Sequence, residues 1–317
     1  MEVFEVRASG WLYFFSYLLV ALGVVSVVWQ IEETAGFYYY FSEMISGGGS
    51  QLRESYLVSS SEGGIPGYIK MFHIFPVSFF IFYFSIFTHF NLSPVDRSRV
   101  KRVMLVALGC SIFCALLVMN RVAFLGIIMA FFVGFLYKGG RRLIYFFVLM
   151  APVVFIVSII SRSRLEGFGA LDFVFLYSKL GLYNFELVIG SLSCHSFGYS
   201  TVFSWVEFVL RFLGGAGEAC SGYDWVWNPA QNLFSYLYID FDIFFLVALF
   251  FVGFVFSILQ QGFFYGGVEY KPLYYMVVWA VSTSFTVPIF RSFEFFLAIV
   301  VLMVFVRSWV FCVYSSR

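Results

Sequence analysis

Charge is scarce in this sequence of 317 residues. Only 12% of the residues are Asp, Glu, Lys or Arg, whereas 62% are hydrophobic. Soluble globular chains are about a quarter charged and close to half apolar, so a chain of this composition could not cover a surface exposed to water. The scarcity of charge excludes a soluble domain and indicates a polytopic membrane protein.

Several functional signatures are also missing. The net charge is +1, which implies no bulk attraction to nucleic acid. The five cysteines show no spacing typical of a metal site. The sequence holds no P-loop, no GxGxxG, no HExxH and no paired aspartate cluster. ATP-driven transport and transfer from cytoplasmic nucleotide sugars therefore lack support, and we expect neither a metal nor a cofactor.

Long apolar runs dominate what is present. A span needs about 20 apolar residues, and suitable runs lie at 11–29, 68–90, 103–119, 122–137, 143–161, 233–259, 273–289 and 293–311. The sequence therefore predicts an all-α polytopic integral membrane protein with about eight transmembrane helices, forming a single transmembrane domain over 1–317. The third and fourth runs are close enough to form a tight helical hairpin around Asn120 and Arg121.

The distribution of charge predicts the orientation. Short turns at 96–102 and 138–142 hold clusters of Lys and Arg, whereas most acidic residues fall on the other side of the spans. By the positive-inside rule, both termini are then cytoplasmic. Two substantial loops lie outside, a first loop over 30–67 and a large loop over 162–232. The large loop is rich in aromatic residues on an apolar background, which indicates interfacial or re-entrant helices.

Arginines on the outer side are the main candidates for a site. Charges at the membrane boundary are costly and tend to mark substrate paths. A planar guanidinium suits phosphate, and a lipid diphosphate would lie at this depth. The candidates for diphosphate or substrate binding are Arg53, Arg121, Arg162, Arg164, Arg211 and Arg291. Pairing with a nearby carboxylate or with a lipid headgroup is the alternative for each of them.

Arg121 is the strongest of these candidates. A short hairpin would hold it near the outer interface, at the N-terminus of the next helix, where the helix dipole also attracts anions. Two side chains are candidate general bases. His195 lies in the large outer loop, and histidine suits proton transfer near neutral pH; Asp240, near the outer end of a helix, is the second. His73 and His89 are typical of interfacial residues, and we assign them no role.

Three features of the chain carry a family resemblance. Arg53 and Arg211 are each followed, after ten intervening residues, by a glycine, Gly64 and Gly222. The stretch MNRVAFLGIIMAFFVGFLYKGGRR, from 119, is an arginine-led apolar run that ends in a basic turn. The stretch NPAQNLFSYLYIDFDIFF, from 228, combines aspartate with aromatic residues late in the chain.

Together these features resemble the bacterial oligosaccharide repeat-unit polymerases, also called O-antigen polymerases of the Wzy type. That family tends to show two outer loops with Arg-x10-Gly and an arginine-led helix in mid-chain. It also often has a late helix in which an aspartate, an aromatic residue and a glycine occur together. Here Asp242 stands where that glycine would be, which is a departure from the family pattern.

The resemblance implies a metal-independent glycosyltransferase of the bacterial inner membrane. Its substrate would be an oligosaccharide repeat unit on undecaprenyl diphosphate, polymerised at the periplasmic face into O-antigen or a capsule-like polysaccharide. Arg53 and Arg211 would position the two substrates, Gly64 and Gly222 would let their loops fold back, and the other four arginines would bind diphosphate. Inner-membrane lipid, a chain-length regulator and a flippase are the expected partners.

Three alternatives stay open. An O-antigen ligase, which moves finished polymer onto lipid A, would use the same arginine chemistry. A polysaccharide flippase or transporter would show charged residues buried in mid-helix and broken helices, neither of which the sequence indicates. A non-catalytic membrane assembly subunit is the third, and the elaborate outer loops argue against it.

Overall fold

The computed structural model of the chain describes residues 10–46, 71–90, 92–118, 121–138, 182–192, 233–267, 270–283 and 292–314. The long regular elements in these ranges are all helices. Numbered in chain order, they are α1 Gly10–Ala35, α2 Phe37–Ser46, α3 Phe75–His89, α4 Pro94–Leu117, α5 Arg121–Lys138, α6 182–191, α7 Leu233–Phe241, α8 Phe245–Tyr265, α9 Tyr270–Thr283 and α10 Phe293–Tyr314. Single 3-10 turns at Met71–Ile74 and Asp242–Phe244 precede α3 and α8.

Among the described residues, four segments are long and apolar enough to cross a membrane: Gly10–Glu33, Phe72–His89, Pro94–Leu117 and Leu233–Tyr265. The apolar part of α5, Val122–Tyr137, is shorter. This architecture bears out the expectation of an all-α membrane protein. The number of eight spans and the type of membrane stay predictions, and the expected span at 143–161 lies outside the described residues.

The two loops that the sequence predicts to lie outside contain helices where the structure describes them. Residues 30–35, which the sequence placed in the first loop, continue α1, and α2 follows after Gly36. Gly36 has φ +77°, a left-handed conformation that glycine adopts without strain, and so the chain can turn sharply here. In the large loop, α6 is a helix as expected; its interfacial position stays a prediction.

Helix α3 forms the centre of the bundle. It packs against α1, α4, α5, α9 and α10, and Phe79, Phe80 and Phe82 are fully buried. Aromatic rings from the surrounding helices fill the space around them. The ring of Phe305 lies 5.2 Å from that of Phe79, and the ring of Phe131 lies 5.6 Å from that of Phe80. A helix that is apolar on every side is stable when all sides are covered, as they are here.

Polar contacts fasten α1, α3 and α4 together near one end. Ser93 caps α4, accepting from the Asp96 backbone N–H at 3.1 Å and donating to the Asp96 carboxylate at 2.9 Å. The Tyr13 hydroxyl donates to the other oxygen of that carboxylate at 3.5 Å. Ser16 and Tyr83 share a hydrogen bond of 2.6 Å. These contacts place the start of α1 beside the start of α4, so the two helices run parallel and α3 runs back between them.

The bundle thus has two distinct ends. At the first, α3 ends at His89 and α4 begins at Pro94; we call it the basic end. The basic stretch 96–102, which the sequence predicted to be a short turn, instead belongs to the first turns of α4, because Ser93 caps the helix before it. At the other, α4 ends at Leu117 and α5 begins at Arg121; we call it the opposite end. The positive-inside rule predicts that the basic end is cytoplasmic and that the opposite end faces outward.

Candidate functional site

The corner between α4 and α5 lies at the opposite end and carries the strongest arginine candidate. The sequence predicted a helix over 122–137, and the observed helix runs from Arg121 to Lys138. Helices α4 and α5 pack against each other as the two arms of the expected hairpin, while Asn120 at its tip lies outside the described residues. Arg121 is therefore the first residue of a helix whose free N–H groups and dipole favour anions.

Tyr40 anchors the end of α4 at this corner. Its side chain is fully buried, and its hydroxyl donates to the backbone carbonyl of Leu117 at 2.8 Å. That carbonyl belongs to the last turn of α4, where backbone acceptors have no partner within the helix. The hydrogen bond thus satisfies a helix end and ties α2, which lies in the predicted first outer loop, to the corner.

Trp279 anchors the start of α5 from the other side. Its indole Nε1 donates to the carbonyl of Val122 at 2.8 Å, and the side chain is only 1% exposed. The indole also packs on Gly126, where an added Cβ would lie 2.8 Å from Trp279 Cε2. A glycine at this position permits the close approach of α5 and α9. Tyr40 and Trp279 therefore hold the two arms of the corner against the rest of the bundle.

A small cleft opens beside the corner, among α1, α3, α4 and α5. Its lining includes His73, Pro76, Ser111, Cys114, Val118 and Ala123. The cleft encloses about 20 Å³, which is room for about one water molecule. The lining includes the partly buried imidazole of His73, which can ionise. The Ser111 hydroxyl donates to the backbone carbonyl of Ala107 in its own helix. Because this space is small, an oligosaccharide or a diphosphate would have to bind over the rim.

Asp240 lies in a different part of the fold. It is fully buried on α7, which packs against α8 and against Phe185 of α6. The Phe185 ring lies 6.2 Å from that of Phe234 and 6.0 Å from that of Tyr238. By contrast, α5 packs mainly on α3, α4 and α9. The contacts of α7 and α5 are therefore with different helices, and Asp240 lies on a helix that packs on α6 and α8 and not on the corner.

The segment that carries Asp240 is broken, contrary to our expectation from the sequence. Helix α7 ends at Phe241, a 3-10 turn follows, and α8 begins at Phe245. Asp242 has φ +50°, and its carboxylate hydrogen-bonds Tyr238. The 21 residues of α8 measure about 31 Å, enough to span a bilayer without α7. The break therefore lies near one end of the span. This is the end that directly follows the large loop in the chain.

The backbone at Asp242 gives a direct test of this break. We expect Asp242→Ala to be less stable than Asp242→Gly by about 1 kcal/mol, because both variants lose the carboxylate and only alanine is strained at positive φ. Thermal unfolding of the purified protein in detergent would measure the difference. The same pair of substitutions at Ile243, the exposed neighbour with an ordinary φ, should show the reverse order. Equal stabilities of the two Asp242 variants would contradict the left-handed turn.

Most predicted site residues lie outside the described residues. They are Arg53, Arg162, Arg164, Arg211, Arg291, His195, Gly64 and Gly222, together with the side chain of Arg121. The structure brings no two of the predicted residues together within the part that it describes. Their roles stay predictions.

Three residues at or beside the corner were not predicted from the sequence: His73, Tyr40 and Trp279. For Trp279 a signal existed, since Gly126 is a glycine in a bulky apolar run, and such glycines often mark close helix packing. A histidine three residues before Pro76, at the predicted outer end of a span, is a weaker signal for His73. No sequence signal indicated Tyr40, because its partner is a backbone carbonyl 77 residues away along the chain.

Comparisons with known proteins leave the family open. Family models, curated proteins and solved structures were each compared with the chain, and none of them matches it. The class that the fold defines is an all-α membrane protein with a fixed helical corner at one end.

Proposed function

We propose that the protein is a membrane glycosyltransferase that polymerises oligosaccharide repeat units carried on undecaprenyl diphosphate. The observation that carries the proposal is the corner at the opposite end, where α5 begins at Arg121 and two side chains hold the backbone in place. Electrostatic stabilisation works best when the charges are fixed before the reaction begins. A helix N-terminus led by an arginine offers N–H groups, a dipole and a guanidinium to a departing diphosphate.

The proposed reaction is a glycosyl transfer between two lipid-linked substrates. A hydroxyl group on the incoming repeat unit attacks the anomeric carbon of the growing chain and forms the new glycosidic bond. The bond from that carbon to the diphosphate oxygen breaks, and undecaprenyl diphosphate leaves with the electron pair. The hydroxyl proton passes to a base, for which His195 and Asp240 are the candidates from sequence and His73 is one from the structure.

The turn after α7 also supports the resemblance to the polymerase family. That family often has a glycine where this chain has Asp242. Here Asp242 adopts φ +50°, a conformation that glycine favours and that aspartate tolerates better than most residues. The substitution is therefore compatible with the same backbone turn.

A flippase or transporter is the second candidate, and one observation favours it. Transporters of several folds use discontinuous spanning helices with binding groups at the break. The segment Leu233–Tyr265 is broken at 242–244, directly after the buried carboxylate of Asp240. The length of α8 places this break away from the membrane centre, and so we prefer the glycosyltransferase.

Purified protein tests the proposal directly. Reconstituted in vesicles with repeat units on undecaprenyl diphosphate, it should release undecaprenyl diphosphate and form a ladder of lengthened glycans without a nucleotide. In a deletion strain, single repeat units should accumulate at the periplasmic face. Repeat units held on the cytoplasmic leaflet would instead identify a flippase, and long polymer left on undecaprenyl diphosphate would identify a ligase. A purified protein that lengthens no glycan would overturn the proposal.

A further inference from the structure

The first nine residues of α4, about two and a half turns, carry an exposed basic surface at the basic end. It consists of Arg97, Arg99, Lys101 and Arg102, all of which are exposed. Asp96, the acidic residue next to them, is only 5% exposed. Its carboxylate points inward, where it accepts from Tyr13 and Ser93. None of the four cations forms an ion pair with a described carboxylate.

This placement of charge opposes the preference of the helix itself. The N-terminus of a helix carries a partial positive charge and is stabilised by acidic side chains. Here Arg97 closes the first turn and the other three cations follow it, and the one carboxylate of the first turn is used for capping and for the contact with Tyr13. Helix stability therefore does not account for the cluster, and an external anionic partner would compensate it.

The position of the surface indicates what that partner is. The exposed face of α4 continues from Arg102 to Val106 and Phe113, which are 44% and 40% exposed. Phe113 lies about 16 Å along the helix axis from Arg102 at 1.5 Å per residue. An apolar face of this length fits lipid chains, and the cations then lie at the level of the headgroups.

Two of the arginines are also held in place by neighbouring side chains. The guanidinium carbon of Arg97 lies 5.1 Å from the ring centroid of Phe87 on α3, a cation–π contact. The guanidinium of Arg102 donates to the Ser98 hydroxyl at 3.4 Å. Restriction of these side chains lowers the entropy that is lost when they bind a ligand.

We propose that Arg97, Arg99, Lys101 and Arg102 bind the headgroups of anionic phospholipids in the leaflet at the basic end. Basic clusters next to a spanning helix attract anionic lipids at short range. The proposal is independent of the glycosyltransferase activity, because it concerns the other end of the bundle. It goes beyond a role in orientation during insertion, since it requires selective binding by the folded protein.

Native mass spectrometry of the full-length protein can test this selectivity. The protein is released from micelles that contain either phosphatidylglycerol or phosphatidylcholine, and bound lipids are counted. Phosphatidylglycerol should bind about tenfold more tightly, and Arg99→Gln/Arg102→Gln should remove most of that difference. Raised ionic strength should weaken the binding further.

Two variants serve as controls. Arg99→Lys/Arg102→Lys keeps the charge and should keep the preference for phosphatidylglycerol. Arg307→Gln removes an exposed arginine from α10 and should leave the preference unchanged. Equal binding of the two lipids by the wild type, or an unchanged preference in Arg99→Gln/Arg102→Gln, would overturn the proposal and leave the cluster with a role in orientation only.

Discussion

Replacing Trp279 with alanine is expected to lower the free energy of unfolding by about 3 kcal/mol or more, which is typical of large-to-small changes at buried aromatic residues. The indole is 1% exposed and lies edge-on to the ring of Phe295 at 5.8 Å. Its removal leaves a cavity against Gly126 and deletes the hydrogen bond to Val122. The free energy of unfolding of Trp279→Phe should lie between those of the wild type and Trp279→Ala, because phenylalanine keeps most of the packing and loses the hydrogen bond.

Trp29 offers a matched control for this measurement. It is also a tryptophan in a helix with a hydrogen bond from Nε1, to Glu33 Oε1 at 3.2 Å, but it is 47% exposed. Trp29→Ala should cost less than about 1 kcal/mol, since an exposed side chain leaves no cavity. Denaturant or thermal unfolding in detergent would compare the two variants. An equal loss at both positions would show that the packing of Trp279 does not fix the start of α5.

Arg121→Ala is expected to reduce glycan lengthening about 100-fold, the usual effect of removing one group that stabilises a developing negative charge. This prediction depends on the proposed function. Arg121→Lys should retain part of the activity, because lysine keeps the charge and loses the planar pair of donors. The assay measures release of undecaprenyl diphosphate by purified protein, together with the length of the glycan.

Lys138→Ala is the control at the other end of the same helix. It removes a cation from α5 at the basic end and should leave glycan lengthening unchanged. The unfolding temperature of each variant must match that of the wild type. A change in glycan lengthening then reflects activity and not a loss of folded protein. Normal chain lengths with Arg121→Ala would remove Arg121 from the site, while the ladder formed by the wild-type protein would still support the glycosyltransferase.

The start of α5 was accessible to sequence analysis because its signals are local. An apolar run that follows a short polar turn predicts a helix start within a few residues, and Arg121 stands at that boundary. Similar local signals predicted the long helices of the bundle, but the stretch 96–102, expected to be a turn, belongs to α4, which Ser93 and Pro94 begin before it. They could not supply the partners of the corner, since Tyr40 and Trp279 are far from it along the chain. The break at Asp242 was missed because the apolar composition continues on both sides of it.

Composition by itself determined that this chain is a helical membrane protein. Only the tertiary structure decided which apolar surfaces are inside. Helices α3 and α8 are both long apolar runs, yet Phe79 is fully buried in the centre of the bundle while Phe250 is 69% exposed. The physical reason is that lipid chains are as apolar as a protein core. Hydropathy therefore marks both environments alike, and only the packing of one helix on another separates them.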